Sequence, residues 1–114
     1  VLFIKEYLGF STEIILSSEL EKDNGLKGQE KVIYINKILG ADTYYNAIGG
    51  MELYDSSSFA KEGIKLSFLQ MEPVEYKQFK NGFVPNLSIL DVLMFNSPNE
   101  TNNLLTKYTL IEVK

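Results

Sequence analysis

The chain has 114 residues, with 11 basic and 15 acidic side chains and a formal charge of −4, a size that suits one small domain. All the basic residues are Lys, and the sequence contains no Cys, His, Trp or Arg. These absences exclude thiolate nucleophiles, Ser–His pairs and zinc sites of the usual kind, so that only a carboxylate-rich site for a hard cation stays open. Because Arg is missing and the net charge is negative, nucleic-acid binding is not expected.

The sequence contains no apolar run of the roughly 20 residues that a membrane-spanning helix needs and no signal-peptide pattern at its beginning, which favours a cytoplasmic protein. Leu2–Leu8 has the apolar spacing of the last turns of a helix, and Gly9 is expected to end it. The sequence begins without Met inside this predicted helix, so we expect a segment to precede it.

The next segments predict a strand, a loop and a regular helix. Glu13–Leu16 is short, apolar and rich in β-branched residues, which is typical of a buried strand. Ser17–Gly28 is expected to be a loop centred on the turn sequence Asp23-Asn24-Gly25. Gln29–Leu39 predicts a helix that ends at Gly40. Its apolar stripe, which we expect to face the core, consists of Val32, Ile35, Ile38 and Leu39, with Ile33 alongside.

Two further strands and a short helix follow. Thr43–Asn46 is aromatic and β-branched and predicts a strand, in which one of two adjacent tyrosines faces the core. A short helix around Phe59 is expected to end at Gly63, and Ile64–Leu69 alternates as another strand. The candidate caps for this helix are Ser56, Ser57 and Ser58.

The last third of the chain predicts two helices and a strand. Ser88 and Asp91 have the spacing of a capping box, in which Asp91 would serve as the capping carboxylate of a helix that extends to Phe95. Asn99–Leu105 is expected to form a short helix, and Tyr108–Val113 a final strand.

Strands that alternate with helices over connections of this length predict right-handed parallel crossovers. The expected fold is therefore α/β: a small single domain over residues 1–114, with a short parallel sheet of three or more strands and flanking helices. Its core strands would be Glu13–Leu16, Thr43–Asn46 and Ile64–Leu69.

Ligands of parallel sheets tend to lie beyond the carboxyl ends of the strands. In this chain that rule favours the segment from Asn46 to Asp55, which contains Gly49, Gly50 and Tyr54. Two interpretations of the glycine pair stay open at this point. It can form a tight strand-to-helix turn, or it can allow a ligand to approach the backbone closely.

Several segments, in the same order and spacing, resemble the C-terminal half of the WbqC-like protein family. They are Lys27–Ile33, Leu39–Asn46, Gly49–Tyr54, Tyr76–Phe79 and Phe83–Asn96. The resemblance implies a protein from bacterial surface-polysaccharide, O-antigen or lipopolysaccharide gene clusters. It also implies that an N-terminal half is missing here. Where many relatives have His before a Pro, this chain has Glu72.

One interpretation of the resemblance is an enzyme that acts on a sugar or nucleotide-sugar. The cofactor is left open, and no metal-binding residues are expected. The fragment alone would be inactive, and a full-length protein would be a sugar-modifying transferase. The expected ligand-binding residues are Asn46, Gly49, Gly50, Tyr54 and Gln78, and the catalytic candidates are Asp55 and Tyr76. Tyr76 and Gln78 would point to the same side of an extended segment.

The alternative interpretation is a non-catalytic scaffold or interaction domain of the same pathway. The apolar residues of the first helix would be covered by the missing half. We therefore expect this 114-residue chain to self-associate through that surface.

Overall fold

The computed structural model describes residues 1–20, 25–79 and 82–112. The helices are α1 (Leu2–Leu8), α2 (Gly28–Ile38), α3 (Ser56–Lys61), α4 (Ile89–Phe95) and α5 (Pro98–Leu104). The strands are β1 (Thr43–Ala47), β2 (Lys65–Met71) and β3 (Tyr108–Glu112), and single 3-10 turns span Ser17–Glu19 and Ile48–Gly50.

The chain divides into two compact units, each described here by itself. The helical unit consists of Val1–Ile14 and Met71–Tyr108 and contains α1, α4 and α5. The sheet unit consists of Ile15–Gln70 and the chain from Thr109 on, and contains α2, α3 and most of the sheet.

The strand order is β1-β2-β3. β1 and β2 are parallel, with Thr43 opposite Lys65 and Ala47 opposite Leu69, so the predicted crossover through α3 is confirmed. β3 is antiparallel to β2. Its last residue, Glu112, pairs with Lys65 at the start of β2 (2.6 Å), whereas the residue before β3 accepts a hydrogen bond from the amide just after β2. The α/β class is confirmed, and the sheet is mixed.

The strand predicted at Glu13–Leu16 is wrong, because this segment is irregular and its apolar side chains are exposed. β-Branched composition expresses only a local preference, whereas a strand also needs a neighbouring edge to pair with. The third strand of the sheet is β3, which begins at Tyr108 as predicted. The end of that prediction, Val113, and the predicted turn residues Asp23 and Asn24 lie outside the described residues.

The predicted buried face of α2 is only partly correct. Val32 and Ile33 pack against the core, but Ile38 is 40% exposed and Leu39 48% exposed. The buried residue of the helix is Asn36, whose side-chain amide donates to the carbonyl of Val32 (2.8 Å). The apolar period shows which residues share a face of the helix, but it does not show how far along the helix the core extends.

The core of the sheet unit is small. Its fully buried or nearly buried side chains are Phe59, Ile64, Leu66 and Phe68. Tyr44 stacks on Phe59 at a centroid distance of 5.7 Å, whereas Tyr45 is 53% exposed, so one tyrosine of the pair faces the core as predicted.

In the helical unit, α1 ends at Gly9, which has a left-handed backbone (φ 75°) as predicted. α5 contacts α1 through Asn102, whose side-chain amide donates to the carbonyl of the buried Leu8 (3.2 Å). α5 begins with a capping box between Ser97 and Glu100.

We expect Phe59→Ala to lower the free energy of unfolding by about 3–5 kcal/mol, because the substitution leaves a cavity at a fully buried position. Ile38→Ala is the control, since Ile38 is 40% exposed and lies outside the buried core, so that the loss should be about 1 kcal/mol. Urea denaturation measures both. Equal losses for the two variants would contradict this description of the core.

Candidate functional site

The predicted residues after β1 come together in the sheet unit. A Cβ added to the buried Gly50 would lie 2.7 Å from Nδ2 of Asn46 and 3.3 Å from Cε2 of Tyr54. The side-chain oxygen of Asn46 accepts a hydrogen bond from the amide of Ala47 (2.8 Å). Gly50 is therefore needed for close packing, whereas a Cβ at the exposed Gly49 would meet nothing within 4 Å.

Tyr54 belongs to the aromatic packing of the core. Its ring packs edge-on against Tyr44 (6.0 Å) and Phe59 (5.9 Å). Burial, with a further contribution from Tyr54, raises the pKa of Tyr44. The ring of Tyr54 thus stabilises the end of β1 against α3.

Asp55 is the N-cap of α3, where one of the neighbouring serines was expected. Its carboxylate accepts hydrogen bonds from the amide of Ser57 (3.1 Å) and from the hydroxyls of Ser57 (2.8 Å) and Ser58 (2.9 Å). The bonds from Ser57, followed by those from Ser58, lower the pKa of Asp55. A carboxylate held in this way is a weak base.

The other two predicted site residues, Tyr76 and Gln78, lie in the helical unit. Both donate hydrogen bonds to Asp91, which was predicted to be a capping residue. The hydroxyl of Tyr76 donates to Oδ2 of Asp91 (2.5 Å), and Nε2 of Gln78 donates to the same oxygen (3.0 Å). The hydrogen bond to Asp91 raises the pKa of Tyr76, as expected for a hydroxyl that donates to a carboxylate.

The predicted capping role of Asp91 is wrong. Ser88 caps α4 by accepting from the amide of Leu90 (3.1 Å). The carboxylate of Asp91 instead accepts from Tyr76 and Gln78, which lie 15 and 13 residues earlier in the chain. Capping-box spacing favours a reciprocal bond only when no stronger donor competes for the carboxylate.

The side chain of Gln78 also forms two hydrogen bonds with the backbone of Val84, which precedes α4. Its Nε2 donates to the carbonyl of Val84 (3.2 Å), and its Oε1 accepts from the amide of Val84 (3.0 Å). Both polar atoms of the Gln78 side-chain amide are therefore engaged in hydrogen bonds within the protein. We conclude that Gln78 holds Asp91 and Val84 in place.

A cleft of about 220 Å³ lies beside this carboxylate, and we call it the Asp91 cleft. Its lining residues are Gln78, Phe79, Gly82, Val84, Leu87, Asp91 and Phe95. Phe79 is 82% exposed and packs edge-on against Phe95 at 4.8 Å. The cleft therefore offers a carboxylate beside an open aromatic ring.

The predicted site residues thus form two groups, one in each unit. Asn46, Gly50, Tyr54 and Asp55 serve turn packing and helix capping, whereas Tyr76 and Gln78 hold a carboxylate at a cleft. Asp91 and Phe79 were missed as site residues. A partial signal was present, because the hydroxyl of Tyr76 and the amide of Gln78 were expected on the same side of an extended segment and each needs an acceptor when it is partly buried.

Within the described residues, no group of three His, Cys, Asp or Glu side chains is placed to hold a metal ion. In the same part of the chain, none of the helices combines the length and the apolar character that crossing a bilayer requires.

The fold and the cleft define a small α/β protein with a hydrogen-bonded carboxylate at an aromatic edge. Residues 1–103 match the model of the WbqC-like protein family, and the chain therefore belongs to the WbqC-like protein family. The matched range includes Tyr76, Gln78 and Asp91. No curated protein and no solved structure matches the chain.

We expect Asp55→Ala to lower the Tm at about pH 7, because α3 loses its N-cap. The pKa of Asp55 is lowered by folding, so its stabilisation is present above the usual carboxyl pKa and is lost as the pH falls through the lowered value. The Tm difference between wild type and variant should therefore shrink progressively as the pH falls below the usual carboxyl pKa of about 4. Thermal denaturation followed by circular dichroism measures it, with Asp55→Asn as the control that retains a cap. A pH-independent difference would contradict the capping role.

Proposed function

We propose that the Asp91 cleft binds a sugar ring and that the protein acts on a sugar in bacterial surface-polysaccharide synthesis. The observation that carries this proposal is the placement of an oriented carboxylate beside an exposed aromatic ring. Membership of the WbqC-like protein family supports it, because the resemblance implies a role in surface-polysaccharide and O-antigen pathways.

The chemistry of the cleft suits a sugar. Asp91 receives both hydrogen bonds on Oδ2, so that Oδ1 has no hydrogen-bond partner in the described part of the chain and can accept from a sugar hydroxyl. The open face of Phe79 suits the apolar face of a sugar ring.

Within this proposal the residues have different roles. Asp91 is the ligand contact and the candidate base, in preference to Asp55. Both oxygens of Asp55 accept hydrogen bonds at the start of α3, whereas the bonds from Tyr76 and Gln78 to Asp91 both go to Oδ2. Tyr76 and Gln78 are positioning residues, because each acts on the ligand through Asp91. A sugar hydroxyl that donates to Asp91 would be made more nucleophilic as its proton moves towards the carboxylate.

We expect the protein to bind N-acetylglucosamine, glucose or UDP-glucose in a titration followed by protein NMR. Asp91→Asn should weaken the binding by about tenfold or more, because a hydrogen bond to a charged group is lost. Phe79→Ala should weaken it by about three- to tenfold, because the stacking surface is removed.

Met94→Ala is the matched control, since Met94 is equally exposed (82%) but does not line the cleft. The control should bind like the wild type. Binding that is unchanged by Asp91→Asn, or the absence of binding by all three sugars, would contradict the sugar site.

The alternative function, an interaction domain, is favoured by one observation. The side chains of Leu2, Phe3 and Tyr7 on α1 are 63%, 75% and 45% exposed, and Phe3 stacks on Tyr7 at 6.1 Å. An apolar surface of this kind commonly binds another protein.

If this surface mediates self-association, sedimentation velocity should show dimers at concentrations of tens of micromolar, and Phe3→Glu should disperse them because an unpaired charge opposes an apolar contact. Lys5→Glu, on the same helix, is the control for a change of charge alone. A monomer at all concentrations would contradict self-association.

A further inference from the structure

The helical unit contains a second and larger cavity, which we call the Thr101 cavity. It has a volume of about 550 Å³, within the range of cavities that hold small organic ligands. The residues of its apolar wall include Val74, Phe83, Leu87, Ile89, Val92 and Leu104. The residues that line it all belong to the helical unit.

One polar group among the lining residues lacks a hydrogen-bond partner in the described part of the chain. Thr101 lines the cavity and is fully buried, and its Oγ1 has no hydrogen-bond partner among the described residues. A buried hydroxyl without a partner destabilises a protein. Such a group is expected to find a partner outside the described residues. Because Oγ1 of Thr101 has almost no accessible surface, a ligand in the cavity pairs with it once the Thr101 side chain turns towards the cavity.

The charges at the cavity limit what that ligand can be. Glu72 and Glu75 line it and are exposed, and none of the described residues that line it is basic. Two carboxylates among lining residues that include no described basic side chain oppose an anion and favour an uncharged or cationic molecule. A diphosphate group therefore does not fit this cavity.

We propose that the Thr101 cavity binds a small, largely apolar molecule that is uncharged or cationic and carries a hydroxyl or amine to pair with Thr101. The site is separate from the Asp91 cleft, and the proposal stands whether or not that cleft binds a sugar. Tyr76 is among the residues that line the Thr101 cavity, and its hydroxyl donates to Asp91.

The test uses three probes of nearly equal shape: 4-phenylbutan-1-ol, 4-phenylbutylammonium and 4-phenylbutanoate. The alcohol and the ammonium should bind to the wild-type protein in an NMR titration, with shifts at residues of the cavity. The carboxylate should bind about tenfold more weakly than the alcohol, because Glu72 and Glu75 repel it. Failure of the alcohol and the ammonium to bind, or equal binding of all three probes, overturns the proposal.

Two sets of variants test separately the role of the Glu72 and Glu75 charges and the role of the Thr101 hydroxyl. In Glu72→Gln combined with Glu75→Gln, the carboxylate should bind as well as the alcohol; a preference that persists overturns the role of these charges. Thr101→Val should weaken binding of the alcohol by about three- to tenfold, because one hydrogen bond is lost. Thr101→Ser retains the hydroxyl and should restore binding.

The stability of Thr101→Val provides a readout without a ligand. Removal of an unpaired buried hydroxyl should leave the Tm unchanged or raise it. A clear decrease in Tm together with unchanged binding of the alcohol overturns the proposal, since the hydroxyl would then have a partner within the protein.

Discussion

The burial of Phe59 is the constraint on which the sheet unit depends. Phe59 ends up fully buried against Ile64, Leu66 and Phe68, and its carbonyl accepts from the amide of Ile64 (3.0 Å). This contact fixes the chain as it passes from α3 into β2. Because β2 lies between the other two strands, the position of both neighbours follows from this turn.

The helical unit is held together differently. None of the residues of α4 is buried, although several of its apolar side chains are half-buried. Polar contacts therefore also hold this helix in place. Asp91 accepts hydrogen bonds from Tyr76 and Gln78, and Gln78 also holds Val84. The same contacts that fix the extended segment before α4 therefore orient the carboxylate of the Asp91 cleft. Gln78 therefore contributes both to the fold of this segment and to the proposed sugar site.

The Asp91 cleft and the Thr101 cavity, which both lie in the helical unit, differ in chemistry. The Asp91 cleft combines a carboxylate with an exposed aromatic ring, whereas the Thr101 cavity is apolar with carboxylates among its lining residues. Tyr76 is related to both, since it lines the Thr101 cavity and its hydroxyl donates to the carboxylate of the Asp91 cleft. A change in the position of Tyr76 would therefore alter its hydrogen bond to Asp91.

The sequence by itself determined the α/β class, the ends of α1 and α2, the parallel pair β1 and β2, and the family. These features depend on patterns within one segment or on the order of segments, such as the left-handed Gly9 or the apolar alternation of Ile64–Leu69. It also placed Tyr76 and Gln78 on the same side of the chain, which their shared acceptor confirms.

Only the tertiary structure decided what these side chains contact. Glu13–Leu16 has the composition of a strand but no neighbour to pair with, and Ile38 lies on the apolar stripe of α2 but beyond the core. Asp91 has the spacing of a capping residue, yet donors 13 and 15 residues away bind its carboxylate. The physical reason is the same in each case: a local pattern expresses the preference of the backbone nearby, whereas pairing, burial and carboxylate partners depend on segments that only folding brings together.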